Sequence, residues 1–140
     1  MTSAVTSLAP IDCVIRGELD IAEARRRARA AAETLGFPTV RVYRLMTAVS
    51  ELAYNLHIHA IRGGVVRIRS IERGGRIGLE VVAEDDGPGI ADVALAMRDG
   101  FSTAGGLGSG LPGTKRLMDE FAIRSEPGRG TCVTTVIWDR

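Results

Sequence analysis

The amino-acid sequence predicts an α+β fold, a two-layer sandwich in which helices cover one face of a mixed, mostly antiparallel sheet. Two observations predict this class. Apolar residues recur at helical spacing in the first part of the chain, and beyond Gly63–Gly64 the apolar pattern changes to the twofold period of β-strands. The length of 140 residues and the lack of a Pro-, Gly- or Ser-rich linker predict a single domain that spans residues 1–140.

The first half of the chain contains one predicted strand and two predicted helices. Ile11–Arg16 alternates weakly between apolar and polar residues, as strands do. Asp20 is a favourable N-cap for an Ala- and Arg-rich helix that ends near Leu35–Gly36, where the glycine is the stop signal. Pro38 restarts the chain, and Thr39 is the predicted cap of a second helix. The apolar stripe of that helix consists of Val42, Leu45, Met46, Val49, Leu52, Ala53, Leu56 and Ala60.

The second half contains two predicted hairpins that flank a glycine-rich segment. Each hairpin has two strand-like stretches joined by a short turn that is rich in Gly. The predicted strands are Val65–Glu72 and Arg76–Ala83 around Arg73-Gly74-Gly75, and Ala122–Glu126 and Thr131–Trp138 around Pro127-Gly128-Arg129-Gly130. Between the hairpins lie the glycine-rich segment Gly87–Gly113, a short helical piece at Ala91–Met97 within it, and a helix at Thr114–Glu120.

The composition argues against several classes of protein. Apolar residues make up 45% of the chain and charged residues 25%, and 18 Lys and Arg face 17 Asp and Glu, so neither disorder nor a polyanion-binding surface is indicated. The basic run Arg25–Arg29 has no interleaved aromatic residues, which favours a solvated helix face over a nucleic-acid patch. No stretch approaches the ~20 apolar residues of a membrane span, and the N-terminus lacks secretory features. We therefore expect a cytoplasmic protein that binds neither nucleic acid nor membrane.

The cysteines and histidines do not predict a metal site. Cys13 and Cys132 are far apart in predicted strands, and no Cys/His spacing matches a zinc site. We expect both thiols to be reduced core residues. His57 and His59 have no third ligand nearby, which favours packing or local hydrogen bonding.

A first pair of candidate functional residues lies on the second helix. Glu51 and Asn55 are four positions apart, which places them roughly 40° apart on the helix surface. A carboxylate and an amide oxygen that converge in this way suit an oxygen-liganded Mg²⁺ and a hydroxyl group that must lose its proton. Spacing alone favours the other interpretation, an ordinary polar pair on a solvated helix flank.

A second candidate is the string Glu84-Asp85-Asp86-Gly87-Pro88-Gly89-Ile90 at the end of a predicted strand. Such a string is often a simple tight turn. A functional interpretation is that a carboxylate at the strand end accepts a hydrogen bond from an amino group such as adenine N6, while the glycines allow the backbone to approach the base.

The third candidate is the run Gly105–Gly113, which leads into a helix through Pro112. Glycines let several backbone N–H groups point at one anion, and the positive end of a helix dipole adds to this, so the run suits phosphate binding. It also matches the pattern G-x-G-x-x-G, but no buried strand and no βαβ unit surround it, so a dinucleotide fold is not supported. Lys115 and Arg116 either meet phosphate oxygens or lie on a solvated helix face.

The order of these motifs resembles that of the GHKL ATPase superfamily, whose N, G1, G2 and G3 boxes follow one another in the same way. Within it, the chain is most similar to the anti-sigma-factor kinase branch (RsbW-like) and above all to RsbT-type stressosome switch kinases. Four stretches carry the resemblance, which extends from about Ile11 to Trp138. They are Ser50-Glu51-Leu52-Ala53, Glu84 to Ile90, Asp99-Gly100-Phe101-Ser102-Thr103, and Gly105 to Phe121.

The resemblance implies a GHKL-type ATP-binding kinase domain with ATP and Mg²⁺ as cofactors. Glu51 would be the base that takes the proton of the acceptor hydroxyl, and Asn55 would be the Mg²⁺ ligand. Asp85 would hold the adenine amino group, and Thr131 would lie near the base. The residues implied in nucleotide binding are Asn55, Asp85, Gly87, Gly89, Gly106, Leu107, Gly108, Gly110, Leu111, Lys115 and Thr131.

The resemblance also implies the partners. Such kinases phosphorylate Ser or Thr of STAS-domain proteins and, by changing partners, bind a PP2C-type phosphatase; some relatives hold a sigma factor. The chain departs from certain sigma-binding relatives, because it has no Arg between Phe101 and Gly113 that would meet the γ-phosphate. The sequence leaves two other functions open, a non-catalytic partner-binding module and an ADP-locked scaffold subunit. It does not decide between monomer and dimer.

Overall fold

The computed structural model describes residues 6–59, 63–85, 87 and 110–140. The described part of the chain forms three helices and five strands. In chain order they are β1 (Ile11–Ile15), α1 (Glu18–Thr34), α2 (Thr39–His59), β2 (Gly64–Arg73), β3 (Arg76–Asp85), α3 (Gly110–Leu117), β4 (Glu120–Glu126) and β5 (Gly130–Trp138). The helical piece expected at Ala91–Met97 lies outside the described residues.

The five strands form one sheet in the order β1-β2-β3-β5-β4. All four pairings between described strands are antiparallel, so the sheet is more uniform than the mixed sheet expected from the sequence. The predicted α+β class is confirmed, as are both hairpins. Gly74 and Gly75 form the turn of the first hairpin with φ angles of 59° and 78°, which is the backbone geometry that two-residue hairpin loops require.

Helix α2 lies at the centre of the helical layer and contacts α1, α3 and the first three strands. Every residue of its predicted apolar stripe from Val42 to Leu56 is buried. The other face of the sheet carries charged side chains, for example Arg69 of β2, whose Nε lies 2.6 Å from Glu80 Oε1 of β3. One face of the sheet is thus covered by helices, and α2 carries the candidate residues Glu51 and Asn55.

The start of α1 differs from the prediction. Gly17 is the N-cap residue, and Asp20 lies three positions further on, inside the first turn. Its carboxylate nevertheless satisfies the helix start, because Asp20 Oδ2 accepts hydrogen bonds from the backbone N–H groups of Arg16 and Gly17 at 2.9 and 3.1 Å. The predicted stop is confirmed, since the helix is capped at Leu35 and Gly36 has a φ of 79°.

Helix α2 also begins one position earlier than a Thr39 cap would place it. Thr39 is already the first helical residue, and the carbonyl oxygen of Pro38 accepts the N–H of Val42 at 3.0 Å. The backbone carbonyl of any residue can accept this bond. The preference for a Thr side chain at the N-cap therefore placed the start of α2 one residue too late.

Helix α3 differs most from the prediction. It extends from Gly110 to Leu117 and not from Thr114 to Glu120, so Gly110 and Leu111 belong to its first turn. Glu120 is instead the first residue of β4. The Thr114 hydroxyl, which is completely buried, donates to the carbonyl oxygen of Gly110 at 3.1 Å and ties this turn together.

Candidate functional site

The side chains of Glu51 and Asn55 project from α2 one helical turn apart. Glu51 is only 4% exposed, and it is the one carboxylic acid among the buried residues that the structure describes. A solvated helix flank, the ordinary interpretation of this pair, is therefore wrong for Glu51. Burying a carboxylate is unfavourable, so its position in the interior of the helical layer indicates a function.

Asn55 is half-buried, and its Oδ1 atom is fully shielded from solvent without a hydrogen-bond partner in the described structure. Buried amide oxygens are normally hydrogen-bonded, so an unsatisfied one requires an explanation. An amide oxygen is a suitable ligand for a hard cation such as Mg²⁺. This atom is therefore the feature of the described structure that fits a metal ion.

No group of three or more His, Cys, Asp or Glu side chains that could hold a metal occurs in the described residues. Mg²⁺ usually retains water ligands and is shared between one or two protein side chains and substrate phosphates. The donor set around Asn55 therefore fits a metal that arrives with a nucleotide better than one held by protein ligands alone.

A second group of candidates lies where β3 ends. Asp85 is the last residue of the strand, and its Oδ1 accepts the backbone N–H of Gly87 at 2.7 Å. This is an Asx-type contact, which fixes the carboxylate at the strand end. Because Gly87 uses only one of the two oxygens, the carboxylate retains acceptor capacity for a ligand.

Thr131 lies beside Asp85 because the two residues are paired across β5 and β3. On its other side, Thr131 is paired with Ser125 of β4, and the two hydroxyl oxygens are 2.8 Å apart. Asp85 and Thr131, predicted from separate motifs, are thus brought together by the sheet register. Sequence reasoning missed Ser125, although counting back across the turn at Pro127–Gly130 would have placed it opposite Thr131.

The third group lies on α3. Gly110 and Leu111 form the first turn, where unpaired backbone N–H groups accumulate. Gly110 has a φ of 49°, a conformation that favours glycine. Lys115 is exposed one turn further along. The packing of α3 against α2 brings this helix start to the same layer as Glu51 and Asn55.

The remaining predicted residues, Gly89, Gly106, Leu107 and Gly108, lie outside the described residues. Elsewhere, Cys13 and Cys132 are free thiols, the first buried and the second partly so. Burial raises the pKa of the Cys13 thiol, and the nearby Arg27 guanidinium opposes that rise. None of the described helices is both long enough and apolar enough to cross a membrane.

Comparison with known proteins identifies the family of the chain. The sequence model of the histidine kinase-like ATPase domain matches residues 17–137 of the chain. The serine/threonine-protein kinase RsbT of Bacillus subtilis (strain 168) is 50% identical over 129 residues, which are 91% of this chain and 96% of RsbT. The anti-sigma F factor of Thermoanaerobacter sp. (strain X514) is 35% identical over 102 residues, or 69% of this chain and 70% of that protein.

Solved structures with low sequence identity share the fold. The RsbU and RsbW domains of a Mycobacterium tuberculosis protein match with a TM-score of 0.62 and 18% identity. The match covers 93% of this chain and 32% of that chain. The SiaB–SiaC complex of Pseudomonas aeruginosa matches with a TM-score of 0.57 and 12% identity over 95% of this chain and 91% of the matched chain.

Proposed function

The chain belongs to the histidine kinase-like ATPase domain family, and we propose that it is a protein serine/threonine kinase that uses Mg-ATP in a partner-switching pathway. The 50% identity to RsbT over nearly the whole of both chains supports the kinase activity. The observation that carries the proposal is the pair on α2, a buried carboxylate at Glu51 and an unsatisfied amide oxygen at Asn55.

Glu51 acts as the general base in this proposal. It takes the proton from the attacking Ser or Thr hydroxyl of the substrate protein, which makes that oxygen a better nucleophile. The burial of Glu51 excludes water from the carboxylate and holds it on a helix that is packed on three sides, so the base is already positioned before the substrate docks.

Asn55 holds Mg²⁺ through Oδ1, one turn from the base. Mg-ATP supplies the transferable phosphoryl group and the cation that neutralises charge on the phosphates. Positioning and charge neutralisation account for most of the catalysis of phosphoryl transfer. The N–H groups in the first turn of α3, at Gly110 and Leu111, add positive potential for phosphate oxygens, together with Gly106, Leu107 and Gly108.

Asp85 accepts the amino group of adenine, and Thr131 lies next to it at the base. The bond from Gly87 to Asp85 Oδ1 holds the carboxylate in place and leaves its other oxygen for the nucleobase. Gly87 and Gly89 allow the backbone to approach the ring closely. Lys115 is exposed on α3 and is available to phosphate oxygens.

The names of the relatives suggest the class of partner. RsbT is a serine/threonine kinase, and three further relatives are anti-sigma F factors, as their names state. From the resemblance of its motifs to the anti-sigma-factor kinase branch, we propose that residues 1–140 are one kinase domain whose substrate is a STAS-domain protein. A PP2C-type phosphatase is the alternative binding partner, and a sigma factor is a further candidate.

The test is a phosphotransfer assay with purified chain, labelled ATP, Mg²⁺ and the STAS-domain proteins encoded by neighbouring genes. We expect label on a Ser or Thr of one of these proteins. The Glu51→Gln variant, which keeps the shape of the side chain, should bind Mg-ATP with unchanged affinity and transfer phosphate ~10²–10⁴ times more slowly.

Each outcome of this assay distinguishes the proposed kinase from the alternatives. Equal losses of affinity and rate in Glu51→Gln would contradict the assignment of Glu51 as base. Tight binding of a STAS protein without any transfer by the wild-type chain would favour a non-catalytic partner-binding module. Bound ADP that does not exchange during purification would favour a scaffold subunit.

A further inference from the structure

Arg44 lies on the same side of α2 as the proposed catalytic pair. Glu51 and Asn55 follow Arg44 by about two and three helical turns, which places all three side chains within roughly 20° of one line along the helix. Arg44 is half-buried, and its guanidinium group reaches α3. The side of α2 that carries the pair therefore faces α3.

The guanidinium group of Arg44 caps the C-terminal end of α3. Arg44 Nη2 donates a hydrogen bond to the carbonyl oxygen of Arg116 at 3.1 Å. Arg116 is the last residue but one of α3, and the carbonyl groups in the last turn of a helix have no N–H partner within the helix. A cation at this end also interacts favourably with the helix dipole. Arg44 thus fastens the end of α3 to α2.

A second contact shows which way α3 runs along α2. Asp119 follows shortly after the end of α3, and its Oδ2 accepts a hydrogen bond from Arg41 Nη1 at 3.0 Å. The chain therefore meets α2 first at Arg44 and then at Arg41, in the direction of the start of α2. This order of contacts indicates that α3 is antiparallel to α2.

The antiparallel direction brings the first turn of α3 towards the proposed catalytic pair. Gly110 lies about 9 Å along the helix axis from Arg116, and Glu51 lies about 10 Å along α2 from Arg44. The start of α3 is therefore directed to the level of Glu51. Its backbone N–H groups are the ones that the proposed function assigns to phosphate oxygens.

Thr114 connects the two ends of α3. Its side chain is completely buried, and its hydroxyl donates to the carbonyl oxygen of Gly110 at 3.1 Å. Its own backbone carbonyl accepts the N–H of Met118 at 3.1 Å. Because these bonds join the first turn to the last, a displacement of the C-terminal end of α3 also displaces Gly110.

We propose that Arg44 is a positioning residue for nucleotide binding, which holds α3 by the carbonyl of Arg116 and so keeps the first turn of that helix at the metal-bound phosphates. Arg44 acts through α3 and does not touch the nucleotide, since it lies about 16 Å along α2 from Asn55. The inference rests on the proposed function, because it requires the triphosphate to lie between Asn55 and the start of α3.

The test measures the dissociation constant of Mg-ATP by calorimetry for the wild-type chain and a set of variants. Arg44→Met keeps an apolar stem and removes the donor, so it should weaken the binding of Mg-ATP by ~3- to 10-fold, the equivalent of one ordinary hydrogen bond. Arg44→Lys retains a positively charged donor for the same carbonyl and should restore most of the affinity.

Arg69→Met is the matched control for a general loss of structure. Arg69 donates to Glu80 on the other face of the sheet, so this variant also loses a hydrogen bond of an arginine but leaves α3 untouched. It should bind Mg-ATP with the affinity of the wild type.

Thr114→Val tests whether the effect of Arg44 passes through α3. This variant removes the hydroxyl bond to Gly110 and nearly preserves the shape of the buried side chain. Both substitutions act on the same helix, so the double variant with Arg44→Met should lose less binding free energy than the sum of the two single losses.

An unchanged affinity in Arg44→Met overturns the inference, and so does an equal loss in Arg44→Lys or Arg69→Met. Fully additive losses in the double variant overturn it as well. The proposed function is tested separately by Asn55→Leu, which should abolish Mg-dependent binding. If Asn55→Leu has this effect while Arg44→Met has none, only the role of Arg44 is refuted. If neither variant changes the affinity, the triphosphate does not lie between α2 and α3.

Discussion

Replacing Asn55 with Leu should stabilise the free protein and abolish its response to Mg-ATP. Asn55 Oδ1 is shielded from solvent and unpaired in the described structure, and a buried acceptor in this state costs about 1–3 kcal/mol. Leu has a similar shape and no polar atom. Asn55→Leu should therefore raise the free energy of unfolding of the nucleotide-free protein by about 1–2 kcal/mol, or Tm by roughly 3–6 °C for a domain of this length.

Mg-ATP should reverse the order of stability of the wild type and Asn55→Leu. A ligand present at a hundred times its dissociation constant stabilises the folded state by about 2.7 kcal/mol, a gain that the wild-type chain obtains and Asn55→Leu does not. Thermal unfolding with and without Mg-ATP measures both effects in one experiment. In nucleotide-free buffer the variant should melt at the higher temperature, and at saturating Mg-ATP the wild type should do so.

Two control variants identify the origin of each effect. Asn55→Asp retains an oxygen ligand and should retain Mg-dependent binding. Thr47→Leu on the same helix also improves helix propensity, so an equal rise in its Tm would assign the stabilisation to propensity and not to the unpaired oxygen. If Asn55→Leu is less stable than the wild type without nucleotide, or binds Mg-ATP with normal affinity, the assignment of Oδ1 as a metal ligand is refuted.

Two predictions concern parts of the molecule outside the site. Because burial raises the pKa of the Cys13 thiol, its thiolate fraction at neutral pH is lower than usual. Cys13 should therefore be alkylated more slowly than the partly exposed Cys132. Mass spectrometry of the labelled peptides measures both alkylation rates, and equal rates would contradict this prediction. A Cβ at Gly78 would lie 2.8 Å from the ring of Trp138, so Gly78→Ala should reduce the free energy of unfolding by about 1–3 kcal/mol. Thermal unfolding and Trp fluorescence measure this effect. If neither Tm nor the fluorescence changes, the ring moves aside at no cost.

The sequence predicted the elements whose residues all follow one local rule. The stripe on α2 is periodic throughout, and the Gly74–Gly75 turn requires positive φ, so helix and hairpin were both identified. The prediction was wrong at the start of α1, because the N-cap residue Gly17 has no side chain to reveal its position. It was also wrong for α3, since glycine disfavours helices, and the first turn at Gly110 is held by the buried hydroxyl of Thr114.

The site was predictable in part. Motif order marked Asp85 and Thr131 as candidates, but their position side by side follows from the register of β3 and β5, which is a tertiary property. Ser125 was missed for the same reason, because only the register of β4 and β5 shows that its hydroxyl oxygen lies 2.8 Å from that of Thr131. A search that first pairs the strands across each turn and then examines polar cross-strand pairs would have found it.

The burial of Glu51 was not predictable from the α2 sequence alone. The helix buries most of its surface, because it contacts α1, α3 and the sheet, so a position next to the apolar stripe is shielded as well. Helix periodicity and polarity predict that a carboxylate beside the apolar stripe faces solvent, whereas Glu51 is buried. Such conflicts between local sequence rules and the tertiary structure are expected at functional sites. In this protein the conflict places an acid in the helical layer one turn from an unsatisfied oxygen at Asn55. The same helix that anchors the core therefore fixes the positions of the two side chains on which the proposed phosphoryl transfer depends.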